Sequence, residues 1–321
     1  MSKLIALKSG THEILSDAWL SDFSNLKQEA LLFDQIGIYK LGKFYKTLTE
    51  TQGIFSKLYP NLSNKIDTII MELEWLRQTG VVTELRMEEE LHSQIIEEFE
   101  RKAPSQMFED AKKLLKKIIE IQTSDLINSE DEAERISLKR EQHFALLRLM
   151  SIVIETTQGV TAVTTVPYTE YSRELPNSRK SSVTQIAINK LPLPNNETPW
   201  EQIIDYRNDP ENRKNLLNLR RWIRKISIES PSPAEIEEEI EWLMNEFQSH
   251  MNVHKMKANT EVLEVIVKAP LELLGLKFSK IAEPLFVLKK RQINLMEAEL
   301  NAPGREMAYI IKARDTFQSQ K

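Results

Sequence analysis

The sequence predicts a mainly α protein of the α+β class, with a small sheet packed with helices in the N-terminal part and an all-helical C-terminal part. Three observations predict it. Apolar residues recur at the three-to-four-residue spacing of a buried helical face through most of the 321 residues. Glycine occurs eight times, about 2.5% against a usual share of roughly 7%, which suits long helices and disfavours folds made of many tight turns. A few β-branched or apolar runs bounded by Gly, Pro, Asn or Ser fall within the first 195 residues, where they can form one small sheet.

In chain order, Lys3 to Leu7 and Ala30 to Tyr39 read as extended. A helix from about Ser63 carries Ile66, Ile69, Ile70, Leu73 and Leu76 on one face and stops at Gly80, a residue that accepts the left-handed turn ending many helices. Helices over about 86 to 101 and 105 to 123 follow, separated by Pro104. Ser129 with Glu132 has the spacing of a reciprocal cap, opening a helix through Ile136, Phe144, Leu147 and Met150. Val160 to Tyr168 and Val183 to Leu191 read as two further strands. The two prolines of LPLPNN (Leu191 to Asn196) can continue neither a ladder nor a helix, so the boundary is placed there: residues 1–195 form the α+β domain and 196–321 the helical one. Thr198 with Glu201 and Ser232 with Glu235 repeat the reciprocal cap, each with proline at the first helical position. Pro303 and Gly304 break the last helical region before Met307, Ile310, Ile311 and Phe317.

Composition excludes several chemistries. Cysteine is absent, which removes disulfides, thiolate-bound metals and thiol nucleophiles, and fits a cytoplasmic protein. The net charge of −5 argues against a surface that is basic throughout. No uncharged apolar run is long enough to span a bilayer, and the first residues lack a signal-peptide core, so a soluble, unexported chain is expected. The glycines are not spaced as a phosphate loop or a dinucleotide fingerprint, and neither HExxH nor GxSxG occurs. No cofactor is expected, and no catalytic set is assigned.

Three constellations remain. Asp34, within ALLFDQIGI, and Glu155, closing SIVIE, could share a divalent cation near Lys190; a metal-dependent phosphodiesterase would use these residues. Glu246, His250 and His254 stand four apart on one helix, but eight residues rise about 12 Å, so all three cannot hold one ion; His250 and His254 alone are an incomplete metal site. The third is a pair of oppositely charged helices. Arg213, Lys214, Arg220, Arg221, Arg224 and Lys225 fall within an arc of about 140°, opposite Leu216, Leu219, Trp222, Ile223 and Ile226. The next helix carries Glu235, Glu237, Glu238, Glu239, Glu241 and Glu246 with no Lys or Arg between them, so a short hairpin could neutralise the cations internally. Unneutralised, the same cations form a phosphate-binding stripe. Lys289, Lys290 and Arg291 form a smaller cluster, read as a solvated face.

The segments ALLFDQIGI (Ala30 to Ile38), LPLP (Leu191 to Pro194), TPWEQIIDYRNDPENR (Thr198 to Arg213), HMNVHKMKANTEVLEVIV (His250 to Val267) and NAPGREMAYIIKARDTF (Asn301 to Phe317) resemble, in collinear order, a widespread family of uncharacterised bacterial proteins. The resemblance implies a bacterial cytosolic protein and carries no activity or site residue with it. The first expectation is therefore a non-enzymatic interaction or assembly protein that binds a partner protein or a second copy of itself, without membrane contact. The alternatives are a nucleic-acid-binding component of a bacterial defence or regulatory system, acting weakly through the basic helix, and the metal-dependent phosphodiesterase. An open basic helix favours phosphate contact; a buried, paired one favours a structural role.

Overall fold

The structure is a computed structural model that describes residues 3–9, 23–39, 41–58, 60–85, 93–124, 131–165, 178–195, 197–229, 232–268 and 293–318. It is mainly helical, with one four-stranded sheet in the N-terminal part. The chain forms two compact units, Met1–Asp209 with Phe317–Lys321 and Pro210–Thr316.

In the first unit the elements are β1 (Leu4–Ser9), α1 (Ser24–Leu32), β2 (Gln35–Tyr39), α2 (Leu41–Leu58), α3 (Pro60–Gln78), β3 (Val82–Leu85), α4 (Ser93–Lys102), α5 (Ser105–Thr123), α6 (Glu132–Gln158), β4 (Thr161–Thr164), α7 (Ser178–Lys190) and α8 (Trp200–Asn208). All strand pairs are parallel and their order is β3-β2-β1-β4. β1 pairs on one side with β2, Ile5 opposite Gln35 and Ser9 opposite Tyr39, and on the other with β4, Leu4 opposite Thr161 and Leu7 opposite Thr164. Parallel strands need crossover connections, and these cover both faces with helices. Ile5 and Leu7 of β1 and Ala162 of β4 pack on Leu147, Met150 and Ile154 of α6. Lys8 points the other way by strand alternation and meets Glu29 of α1 in a buried pair 2.7 Å long.

α6 runs for 27 residues and is apolar on two sides, because it lies between layers. One side faces the sheet; on the other, Phe144, Ala145, Leu149, Ile152 and Val153 pack with Phe99 of α4 and Leu114 and Ile118 of α5. α8 also belongs to this unit. Arg207 donates from Nη1 to the carbonyls of Ala30 (3.2 Å) and Phe33 (2.6 Å), satisfying groups that the end of α1 leaves open. The two units divide at Asp209/Pro210, whereas the sequence reading places its boundary after residue 195.

Several local expectations change. Val183–Leu191 is not a strand: residues through Lys190 form α7, which buries Val183, Thr184, Ile186, Ala187 and Ile188 on a helical face. The segment from Ala30 begins as the last turn of α1, and only Gln35–Tyr39 is extended, since an apolar run such as ALLF fits a buried helical turn as well as a buried strand. β3 was missed because it has four residues, two of them Thr83 and Glu84. At α6 the cap is Asp131, whose Oδ1 accepts from the N–H groups of Ala133 and Glu134; Ser129 lies outside the described residues. Thr198 does not cap α8 but donates its hydroxyl to Asn195 Oδ1 at 2.6 Å. The helix expected over 86–101 is described as Ser93–Lys102, and residues 166–168 and 289–291 lie outside the described residues.

The second unit holds α9 (Pro210–Glu229), α10 (Pro233–Lys268), a helical stretch over 293–301 (α11), one 3-10 turn (Arg305–Met307) and the body of α12 (Ala308–Phe317). The expected cap of α10 is present: Ser232 N–H donates to Glu235 Oε2 at 2.6 Å, and Glu235 N–H to Ser232 Oγ at 3.3 Å. Hydrogen bonds from the Ser232 backbone N–H and from the Ser232 side chain to the carboxyl hold Glu235 below the usual carboxylate range. Gly304 has φ 70° and sits so close to α10 that a Cβ there would lie 2.0 Å from the Leu243 carbonyl oxygen. Beside this contact, Glu299 of α11 accepts from Asn215 Nδ2 of α9 at 2.9 Å and pairs with Lys312 of α12 at 2.7 Å. Lys312 also binds Glu211 of α9. Burial lowers the Lys312 ammonium, but the bonds to Glu211 and Glu299 outweigh it, and the net shift is upward.

Gly304→Ala should therefore lower the stability of this unit by about 2–4 kcal/mol, the sum of an unfavourable left-handed conformation and an overpacked backbone contact. The urea midpoint reads it; an unchanged midpoint contradicts the close approach.

Candidate functional site

Asp34 and Glu155 both lie at the amino-terminal edge of the sheet, and each is engaged by strand backbone. Asp34 follows α1 in the turn into β2, and its Oδ2 accepts from Leu4 N–H, at the start of β1, at 2.8 Å. Glu155 ends the sheet-facing stretch of α6; its Oε1 accepts from Ala162 N–H of β4 at 3.0 Å and from Lys180 of α7. The cation beside Glu155 is thus Lys180, and Lys190, at the far end of α7, is half-buried with contacts of its own. The Leu4 N–H opens its strand and the Ala162 N–H faces the unpaired side of β4, so neither has a ladder partner, and a carboxylate is a group that satisfies each. Among the described residues no group of three His, Asp or Glu side chains is arranged to hold a metal ion.

On α10, His250 and His254 stack with ring centroids 4.5 Å apart, as their spacing of one turn dictates. Glu246, a turn earlier, is exposed. His250 is half-buried, and its Nε2 finds no hydrogen-bond partner.

α9 shows the two faces expected of it. Leu216, Leu219, Trp222, Ile223 and Ile226 are buried, so the opposite arc is turned outward. Arg213, Lys214, Arg221, Arg224 and Lys225 are exposed and Arg220 is half-buried. Lys225 pairs at 3.6 Å with Glu229 of its own helix, and Arg220 has contacts of its own. No ion pair joins Arg213, Lys214, Arg221 or Arg224 to α10 among the described residues. Glu235, Glu237, Glu238, Glu241 and Glu246 of α10 are exposed in turn.

Sequence reading missed one group altogether. Arg148, on α6, is 1% exposed, and its Nε and Nη2 have no hydrogen-bond partner. The guanidinium lies 5.6 Å from the centre of the Phe144 ring, one turn back. Burial pulls it down to about 10, with the charge of Glu155 opposing. A buried cation lacking a hydrogen-bonded counter-charge costs several kcal/mol. A lone Arg within FALLRLMSIVIE, on a helix apolar on two sides, is the signal that could have singled it out.

No protein family, curated protein or solved structure matches the chain. Among the described residues no helix is long and apolar enough to cross a membrane.

If Asp34 serves the strand ends as its contact indicates, Asp34→Ala should cost about 1–3 kcal/mol by stranding the Leu4 N–H. Chemical denaturation measures it, and a variant as stable as the parent removes this role.

Proposed function

We propose that the protein is a nucleic-acid-binding component whose second unit contacts phosphates through α9. One observation carries this reading: Arg213, Lys214, Arg221 and Arg224 stand exposed in one arc, backed by a buried apolar face. The buried face fixes the helix in rotation, so the cations are presented by the fold itself. From Arg213 to Lys225 the stripe is about 18 Å long, the axial span of about five phosphates of one duplex strand. The exposed glutamates of α10 and the net charge of −5 limit affinity, which makes the expected binding weak and independent of sequence, about 10⁻⁴ to 10⁻⁶ M at physiological salt. The bacterial cytoplasm is the setting that the resemblance of the chain's segments implies, and a defence or regulatory system the kind of assembly in which such a component works.

The partner-protein reading is favoured by a different face. Trp242, Val253 and Met256 of α10 are 55%, 49% and 69% exposed and lie in one narrow arc, opposite the buried Ile236, Ile240, Leu243, Phe247 and Met251. An apolar stripe of this kind suits protein contact.

Fluorescence titration of a labelled duplex at several salt concentrations separates the two. Four open cations predict a log–log salt slope of about −3.6 on duplex and about −2.8 on single strands, with Arg213→Ala reducing it by about one unit. Charge reversal of Arg221 and Arg224 should abolish binding while changing stability by no more than ~0.5 kcal/mol per site. Binding that survives this reversal removes α9 from the site. Absence of any binding at low salt leaves the apolar stripe, and a protein partner, as the reading.

A further inference from the structure

Arg148 lies in the first unit. Arg148, Ser151 and Glu155 occupy one face of α6, at spacings of three and seven residues. That face is fixed against β4: Ser151 Oγ donates to the Ala162 carbonyl at 2.8 Å, and Glu155 accepts from the Ala162 N–H. α6 enters β4 through the tight turn at Gly159, so the two run in opposite directions. Arg148 therefore stands one turn, about 4.5 Å, beyond Ser151 in the direction in which β4 proceeds. Helical side chains lean toward their own amino terminus, which carries the guanidinium on toward the carboxyl end of β4. At that same end of the strand, Thr165 is buried and its Oγ1 also has no partner.

Thr161 and Thr165 are the residues whose N–H groups bond to β1, so the N–H and carbonyl of Ala162 point to the other, open side of β4. The face of α6 that carries Arg148 therefore borders β4 on the side away from β1. The chemistry of the arginine says what it can hold there. Nε–H and Nη2–H lie side by side on one edge of the planar guanidinium, the edge that grips two oxygens of a carboxylate or phosphate. Both atoms of that edge are the unpartnered ones. Phe144 takes the ring contact, and Glu155 is already shared with Ala162 and Lys180, so neither supplies the missing acceptor.

We propose that the carboxyl end of β4, on its open side, binds the oxyanion group of a small molecule, held by the Nε/Nη2 edge of Arg148.

The full chain is titrated separately with sodium phosphate and sodium succinate, at fixed pH and with sodium chloride holding ionic strength constant, while the thermal midpoint and the heat of binding are recorded. One of the two salts should raise the midpoint saturably by about 2 °C or more. Saturation by phosphate identifies a phosphoryl ligand, and saturation by succinate a carboxylate. Arg148→Lys keeps the charge without the planar edge and should weaken binding at least tenfold. Arg148→Met should abolish it without lowering the midpoint of the unliganded protein, because the buried cation is then gone. Charge reversal of Arg221 and Arg224 should leave the effect intact, separating this site from α9. A parent protein that responds to neither salt beyond the chloride control overturns the proposal. So do Arg148→Lys binding of parental affinity, an Arg148→Met protein markedly less stable than the parent, and a response lost on reversing Arg221 and Arg224.

Discussion

The first unit depends on β1, which pairs in parallel with β2 through Ile5 to Ser9 and with β4 through Leu4 to Leu7. Pairing with β2 closes a loop of about thirty residues, and pairing with β4 closes one five times longer, so the chain entropy of both closures rests on one short strand. Because the pairing is parallel, each return to the sheet crosses it on a helix. α1 lies over one face, where Lys8 meets Glu29, and α6 over the other, where Ile5 and Leu7 are buried. The strand's two ends then take different roles. At its start Asp34 occupies an N–H that no ladder satisfies; toward its other end, across the neighbouring β4, lies the unpartnered edge of Arg148.

The second unit solves a different problem, holding long helices together with little turn material. Gly304 brings its loop onto the backbone of α10 at a separation no side chain could share. Lys312, Glu299, Glu211 and Asn215 tie α9, α11 and α12 in a small polar network next to that contact. With Leu216, Leu219, Trp222, Ile223 and Ile226 committed inward, the rotation of α9 has no freedom left. The outward direction of its arginines is a consequence of packing, and their exposure follows without any further interaction.

The legible parts of the sequence were those in which local chemistry and packing agree. Ser232 and Glu235 cap α10 as their spacing requires, Gly80 ends the segment after α3 with φ 75°, and the apolar stripe of α9 is buried residue for residue. Residue propensity misleads at one segment. SSVTQIAINK is rich in β-branched residues, yet it forms α7 because its buried positions fall on one helical face. At the sites, residue type was legible and partnership was not. Asp34 and Glu155 are at the sheet, as expected, but each contacts backbone N–H groups that only the folded strands present. The opposed charges of α9 and α10 suggest pairing, yet no ion pair joins Arg213, Lys214, Arg221 or Arg224 to α10 among the described residues, and a short connection between helices does not fix which faces meet. Arg148 escaped notice because burial, and not spacing, makes it unusual.

The direct test of the central claim, that α9 presents open cations to phosphate, is arginine modification by phenylglyoxal with and without a saturating duplex, read site by site by mass spectrometry. The account predicts that Arg213, Arg221 and Arg224 react in the free protein and are protected together by the duplex, while Arg101, exposed on α4, reacts equally in both. Equal modification of Arg213, Arg221 and Arg224 in the presence and absence of a duplex shown to be bound would contradict it.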